Sequence, residues 1–211
     1  PVAAAYEFVT AGDRRPLLVM RECERCKGTD HALLSRTLSN EQTVLLTGWF
    51  RCVKLPPNVL EADHPFRSFF AKDEQTGRIP HLFFADPDGS NQTPLPGDQS
   101  QAELWETMFG FLDRCYEGNA KKALKELRKL LDQHDRIDGL ELEVVARMER
   151  ELDRNGPTSS KVKKLQGNLD KLQKERDKLF ARERELRALA LKNLALGEGQ
   201  EAEPATAGSG N

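Results

Sequence analysis

Apolar positions in the first half of the chain come in short runs cut by polar turns, while in the second half they recur three or four residues apart over long stretches. The first pattern predicts strands mixed with short helices, the second long amphipathic helices. Residues 1–15 read as a lead-in with a short strand at Tyr6-Glu7-Phe8-Val9, and Leu17–Arg21 reads as a buried strand. Leu33, Leu34 and Leu38 share a helical face over 30–39, with Asp30 as N-cap. Val44–Leu55 is rich in β-branched, aromatic and apolar residues and predicts a second core strand, ended by Pro56-Pro57-Asn58. Phe66, Phe69 and Phe70 recur at helical spacing over 63–72. His81–Ala85 predicts a strand, Asp86-Pro87-Asp88-Gly89 a tight reversal, and the residues up to Leu95 a short partner strand. Ser100 and Glu103 have the spacing of a capping box before a helix with Leu104, Met108, Phe111, Leu112 and Cys115 on one face. The order to residue 116 is thus β-α-β-α-β-β-α. Its two β-α-β units imply parallel pairing and its hairpin an antiparallel edge. The fold class expected is α/β, a mixed central sheet flanked by helices.

From Gly118 the pattern is helical. Ala120, Ala123, Leu124, Leu127, Leu130 and Leu131 form one apolar stripe, and Ile137, Leu140, Val144, Val145, Met148 and Leu152 a second. Leu140-Glu141-Leu142-Glu143-Val144 also alternates, so a short strand competes there. Asn155-Gly156-Pro157 is a stop signal, and Thr158, Ser159 or Ser160 offers a new cap. Residues 161–195 then predict one long charged helix. Leu165, Leu172, Leu179 and Leu186 lie seven apart, but the partner seam of Val162, Leu169, Arg176, Glu183 and Ala190 turns polar midway. That is a weak coiled coil, equally suited to self-association and to packing on its own domain. The expected domains are 1–117, a helical extension 118–196 and a disordered Gly-, Glu- and Ala-rich tail 197–211.

Composition narrows the function classes. A net charge of −2 over 211 residues gives no electrostatic case for nucleic-acid binding. Charged residues are 31% of the chain, above the globular average of about 25%, and crowd into the C-terminal half. No apolar segment approaches the roughly 18–20 residues of a membrane span. Pro1-Val2-Ala3-Ala4-Ala5 lacks the basic region and apolar core of a secretory signal. A cytoplasmic chain is slightly favoured over an exported one. No Gly-rich phosphate loop, Ser nucleophile elbow or His-Glu-x-x-His helix is present, which removes nucleotide hydrolysis, serine hydrolysis and zincin proteolysis from the leading readings. No cofactor is implied.

The chemistry concentrates in Cys23-Glu24-Arg25-Cys26, between the Leu17–Arg21 strand and the helical pattern of 31–38. At the start of a helix these cysteines would share a face with Cβ atoms about 5–6 Å apart, close to bonding range. Three readings stand: a redox-active pair, a structural pair, or half of a metal site. The metal reading needs two more ligands, for which Cys52, His64 and His81 are candidates without ligand spacing. His31 is a candidate base beside the pair, though a solvated helix histidine suits its position better. Cys52 and Cys115 sit in apolar patterns and read as packed small apolar residues. Trp49 and Trp105 also read as core, and the interleaved charges of 171–187 as a solvated face.

The succession of strand, Cys-x-x-Cys, helix, strand, helix and then Ile79-Pro80 directly before a strand resembles the thioredoxin-like family over residues 5–116. The resemblance implies thiol–disulfide exchange with a protein disulfide or dithiol, Cys23 as nucleophile and Cys26 as resolving thiol. It further implies a cis Ile79–Pro80 bond facing the pair, with the Ile79 backbone open to strand-like pairing with an extended substrate. The chain departs from the family at Glu22, where many active members carry Trp, and at Leu17, where many bury an acid. Glu22 should raise the Cys23 pKa and Arg25 lower it, with little net shift. The stretch from Pro56 to Gln75 is longer than a minimal member needs and suits a lid or a recognition loop. The competing expectation is a non-catalytic binding or scaffold protein on the same fold, docking or dimerising through residues 161–195.

Overall fold

The computed structural model describes residues 2–22, 39–72, 77, 79–96 and 99–193. Cys23, Cys26, the helix expected over 30–39 with its Asp30 cap, His31 and the tail 197–211 lie outside the described residues, except for Ser39. The described chain is mixed α/β. It runs α1 (Val2–Thr10), β1 (Leu17–Arg21), α2 (Glu41–Thr47), β2 (Arg51–Leu55), 3₁₀ turns at Pro57–Leu60 and Arg67–Phe70, β3 (Leu82–Ala85), β4 (Thr93–Leu95), α3 (Gln101–Cys115), α4 (Ala120–Asn155) and α5 (Ser160–Arg187).

The four strands form one mixed sheet in the order β2-β1-β3-β4. β1 and β2 are parallel, with Leu17 opposite Arg51 and Arg21 opposite Leu55. β1 and β3 are antiparallel, with Leu17 opposite Ala85 and Met20 opposite Leu82, and β4 is antiparallel to β3. The second β-α-β unit expected from sequence is therefore not parallel. β2 ends, and β3 starts, at the end of the sheet where β1 ends, so the 3₁₀ turns between them need not carry the chain back across it. β1 and β3 are buried on both faces, as near-continuous apolar strands must be. Leu17, Val19, Phe83 and Ala85 face one layer with Ala5, Val9, Val59, Phe66, Phe69 and Phe70. Leu18, Leu82 and Phe84 face the other with Trp49, Phe50 and the apolar sides of α3 and α4.

Two further expectations are corrected. The strand at Tyr6–Val9 is part of α1, because Ala5 and Val9, one helical turn apart, dock on the sheet while the Tyr6 ring stacks on Phe69 at 4.3 Å between centroids. Val44–Leu55 is not one strand: α2 ends at Thr47, and a turn at Gly48 sends Trp49 and Phe50 into the core before β2 begins. Thr43, Leu45 and Leu46 form the buried side of α2, a grouping too short to separate helix from strand by period. The Asp86–Gly89 reversal closes through Gly89 N–H donating to Asp86 O at 2.9 Å, with Gly89 at φ 85°. The Ser100–Glu103 capping box is present on α3.

α4 runs unbroken for 36 residues, about 54 Å at 1.5 Å per residue. There is thus no strand at Leu140–Val144. Gly156, at φ 73°, reverses the chain and α5 returns antiparallel along α4. Arg176 bridges to Asp138 and Glu141, and the Phe180 ring lies 4.9 Å from that of His134. α5 stops at Arg187 rather than near 195. Beyond it Glu117 N–H donates to Ala190 O at 2.7 Å and Lys192 N–H to Cys115 O at 2.8 Å. The root of this hairpin belongs to the sheet's core: Ala120, Ala123, Leu124, Leu127 and Leu130 share a cluster with Leu18, Trp49 and Phe84. Trp49 Nε1 donates to Arg187 O at 3.1 Å, and Tyr116 Oη donates to Trp49 O at 2.6 Å. The boundary expected at residue 117 crosses a continuous hydrophobic cluster.

Candidate functional site

The site lies where β1 ends and the chain enters β3. β1 needs five extended, mostly apolar residues to fill the sheet centre, and its last one, Arg21, is only 8% exposed. Arg21 N–H donates to His81 O at 2.9 Å, continuing the ladder by one step. Its side-chain Nε donates to Pro80 O at 2.8 Å, and Nη2 lies 3.4 Å from His81 Nε2. These contacts fasten residues 80 and 81 to the end of β1. Among the described residues no carboxylate pairs with Arg21, and withdrawal from water pulls its pKa down. Next to it, Glu22 N–H donates to Leu55 O at 2.8 Å, and the Glu22 carboxylate pairs with Lys54.

Ile79 and Pro80 were expected beside the cysteines with a cis bond. Pro80 is buried and Ile79 is 38% exposed. No described peptide bond is cis, so Ile79–Pro80 is trans, the ordinary preference of an X–Pro bond. The Ile79 main-chain N–H and C=O make no hydrogen bond among the described residues. Leu17, the position expected to lack an acidic relay, is fully buried against Val19 and Phe83.

The remaining candidates are dispersed. Cys115 is buried, with its Sγ 3.6 Å from Asp86 Oδ1, and burial followed by the Asp86 charge pushes its thiol up to about 12. Cys52 is exposed on the edge strand β2, contrary to the packed position expected. Its sulfur still points at Thr47 O, 3.6 Å away, and crowding there raises its pKa against the pull of Arg15 and Arg51. His64 accepts a hydrogen bond from Phe66 N–H at Nδ1. Among the described residues no three His, Cys, Asp or Glu side chains gather where they could hold a metal ion. Trp49 is in the core, and Trp105 is partly buried with Nε1 donating to Thr43 Oγ1 at 2.9 Å.

Two site residues escaped the sequence reading. Arg21 and Lys54 surround the residue before Cys23, one by burial and the other by pairing with Glu22. The only trace in the sequence is an arginine closing an otherwise apolar strand two positions before a cysteine pair. No family model matches this chain, and no curated protein or solved structure matches it either. No described helix is long and apolar enough to cross a membrane.

Proposed function

We propose that this chain is a thiol–disulfide oxidoreductase of the thioredoxin-like family, with Cys23 and Cys26 as the exchanging pair. The observation that carries the reading is the buried Arg21 at the end of the central strand, which pairs with no carboxylate among the described residues. Cys23 follows it by two residues, so their Cα atoms are within about 7 Å in any conformation. A cation beside a thiol favours thiolate over thiol, and Arg21 lies two positions from Cys23 in the chain. Lys54 engages the Glu22 carboxylate that would otherwise oppose it. The sheet order β2-β1-β3-β4, with one parallel and two antiparallel pairings, supports the family reading.

In the reductive direction the Cys23 thiolate attacks one sulfur of a partner disulfide. A mixed disulfide forms and one partner thiolate leaves. The Cys26 thiolate then attacks Cys23 Sγ and releases the second partner thiolate. The partner gains two electrons, and the pair is left as a Cys23–Cys26 disulfide. The Ile79 main-chain groups, which make no hydrogen bond among the described residues, suit strand-like pairing with the partner's extended segment. Insulin-disulfide reduction by the wild type, Cys23→Ser and Cys26→Ser tests this. Loss of turnover in both variants is expected; equal rates in all three would end the proposal.

A second reading is a binding or scaffold protein without exchange chemistry. The α4–α5 hairpin favours it, since Leu142 is 72% exposed and Phe180 is also exposed. Self-association would use that outer surface, because α5 already packs along α4. Sedimentation of the full chain against Leu142→Glu/Phe180→Glu tests it: one unchanged monomeric mass in both removes self-association.

A further inference from the structure

The long stretch after β2 forms more than a cover for the core. Val59, Phe66, Phe69 and Phe70 anchor it on one sheet face. Its outer side and Ile79 enclose an open groove of about 640 Å³. Leu60, Pro65 and Ile79 give the groove apolar surface, while His64, Arg67 and Lys72 supply polar lining. No Asp or Glu is among its described lining residues. Arg67 and Lys72 are exposed and make no ion pair among the described residues. Glu61 and Asp63 neighbour this segment in sequence but do not line the groove.

We propose that this groove binds an extended, acidic polypeptide segment of the exchange partner, with an apolar side chain seated between Leu60, Pro65 and Ile79 and flanking carboxylates held by Arg67 and Lys72. The proposal rests on the exchange reading for the partner's identity but not for the binding itself. Three observations converge on a polypeptide. The groove is open rather than enclosed, so it suits a chain passing through it. Ile79, which lines it, has a main-chain N–H and C=O without a hydrogen bond among the described residues, groups that an extended backbone can use. Its fixed charges among the described residues are both positive, so a partner carrying carboxylates beside its apolar residue is selected over a basic one.

The test measures fluorescence anisotropy with two labelled, cysteine-free, ten-residue peptides. One alternates Glu with Leu and Val, and the other carries Lys in place of every Glu. The acidic peptide is expected to bind at least about tenfold more tightly at low ionic strength, a difference of about 1.4 kcal/mol. Added salt should narrow that gap. Arg67→Ala/Lys72→Ala should abolish the preference, and Arg67→Glu/Lys72→Glu should invert it. Cys23→Ser/Cys26→Ser should bind both peptides as the wild type does. Equal affinity for the two peptides, binding of neither, or an unchanged preference in the Glu variant overturns the proposal. So does displacement of the acidic peptide by a ten-nucleotide oligo-dT as effective as by unlabelled peptide. If the preference fails while insulin reduction stands, the groove assignment alone is wrong. If it holds while insulin reduction fails, the exchange reading alone is wrong.

Discussion

Replacing Leu127 by Ala should destabilise the sheet as much as the helix that carries it. Leu127 is 2% exposed and shares its cluster with Trp49, Phe84 and Leu112. Leu→Ala removes three buried carbons, worth about 2.4 kcal/mol at about 0.8 kcal/mol each. The residual cavity brings the cost to about 3 kcal/mol or more. For a domain of this size that lowers the Tm by about 6–12 °C. With a urea m-value of about 1–3 kcal/mol/M, the midpoint falls by about 1–3 M. Leu142→Ala is the control, because Leu142 on the same helix is largely exposed and its truncation should cost under about 0.5 kcal/mol. Urea titrations would follow tryptophan fluorescence and far-UV circular dichroism together. Trp49 and Trp105 both report the α/β layers, while the dichroism is dominated by α4 and α5. Coincident transitions, displaced together in Leu127→Ala and unmoved in Leu142→Ala, are expected. A fluorescence transition that stays put while the dichroism splits would refute the claim that hairpin root and sheet share one core.

Three more outcomes follow from particular contacts. Tyr116→Phe strips the buried Trp49 carbonyl of its donor and should cost about 1–3 kcal/mol in urea unfolding, with a loss within ±0.3 kcal/mol of zero counting against the bond. The Asp13 carboxylate accepts from the Arg15 main chain and guanidinium, which hold its pKa below 3.8; the stability this contributes is present above that pH and lost as pH falls through the lower folded value. Asp13→Asn should therefore cost no more than about 1 kcal/mol at neutral pH, since Arg15 is over a third exposed, and nothing in strong acid; a deficit that persists there would break the assignment. Cys115, with its thiol pushed up to about 12, should resist iodoacetamide at pH 8 until urea unfolds the chain, and labelling of the native protein as fast as of the unfolded one would contradict its burial.

Elements whose signals are local and redundant were legible in the sequence. α3 has its cap, its Glu partner and an apolar face that all agree, and the Asp-Pro-Asp-Gly and Asn-Gly-Pro stops mark real reversals. α1 was not legible, because Tyr6-Glu7-Phe8-Val9 alternates and its helical face appears only once Ala5 and Val9 have a sheet to dock on. α2 failed for the opposite reason. Its apolar residues run straight into Trp49, Phe50 and β2, leaving no polar gap to show where one period yields to the other. The α4 stripe was visible, but a stripe is the same whether it faces a second helix or a sheet, so the shared root had to come from the tertiary structure. Of the site, Cys23-x-x-Cys26 and Ile79-Pro80 stood out as motifs, whereas Arg21 passed as the end of a strand.

The energetics at that strand end bear on which chemistry the cysteine pair can support. A guanidinium withdrawn from water loses hydration that its bond to Pro80 O and its contact with His81 Nε2 restore only in part. An apolar residue would finish β1 without that cost, as Leu17 to Val19 do at its start. With Lys54 offsetting Glu22, the described groups around the start of the 23–26 segment carry one uncompensated positive charge. A positive charge beside a thiol favours the thiolate, the form that the proposed exchange requires. It repels a divalent cation about twice as strongly at the same distance, because the ion carries two charges. A positive charge at this strand end therefore favours the proposed exchange at Cys23 and works against a metal held by the same two sulfurs. Arg21→Met at constant volume should raise the Cys23 thiol pKa while leaving the apparent affinity of the pair for Zn²⁺ unchanged or stronger. A variant with an unshifted thiol titration would detach Arg21 from the chemistry altogether.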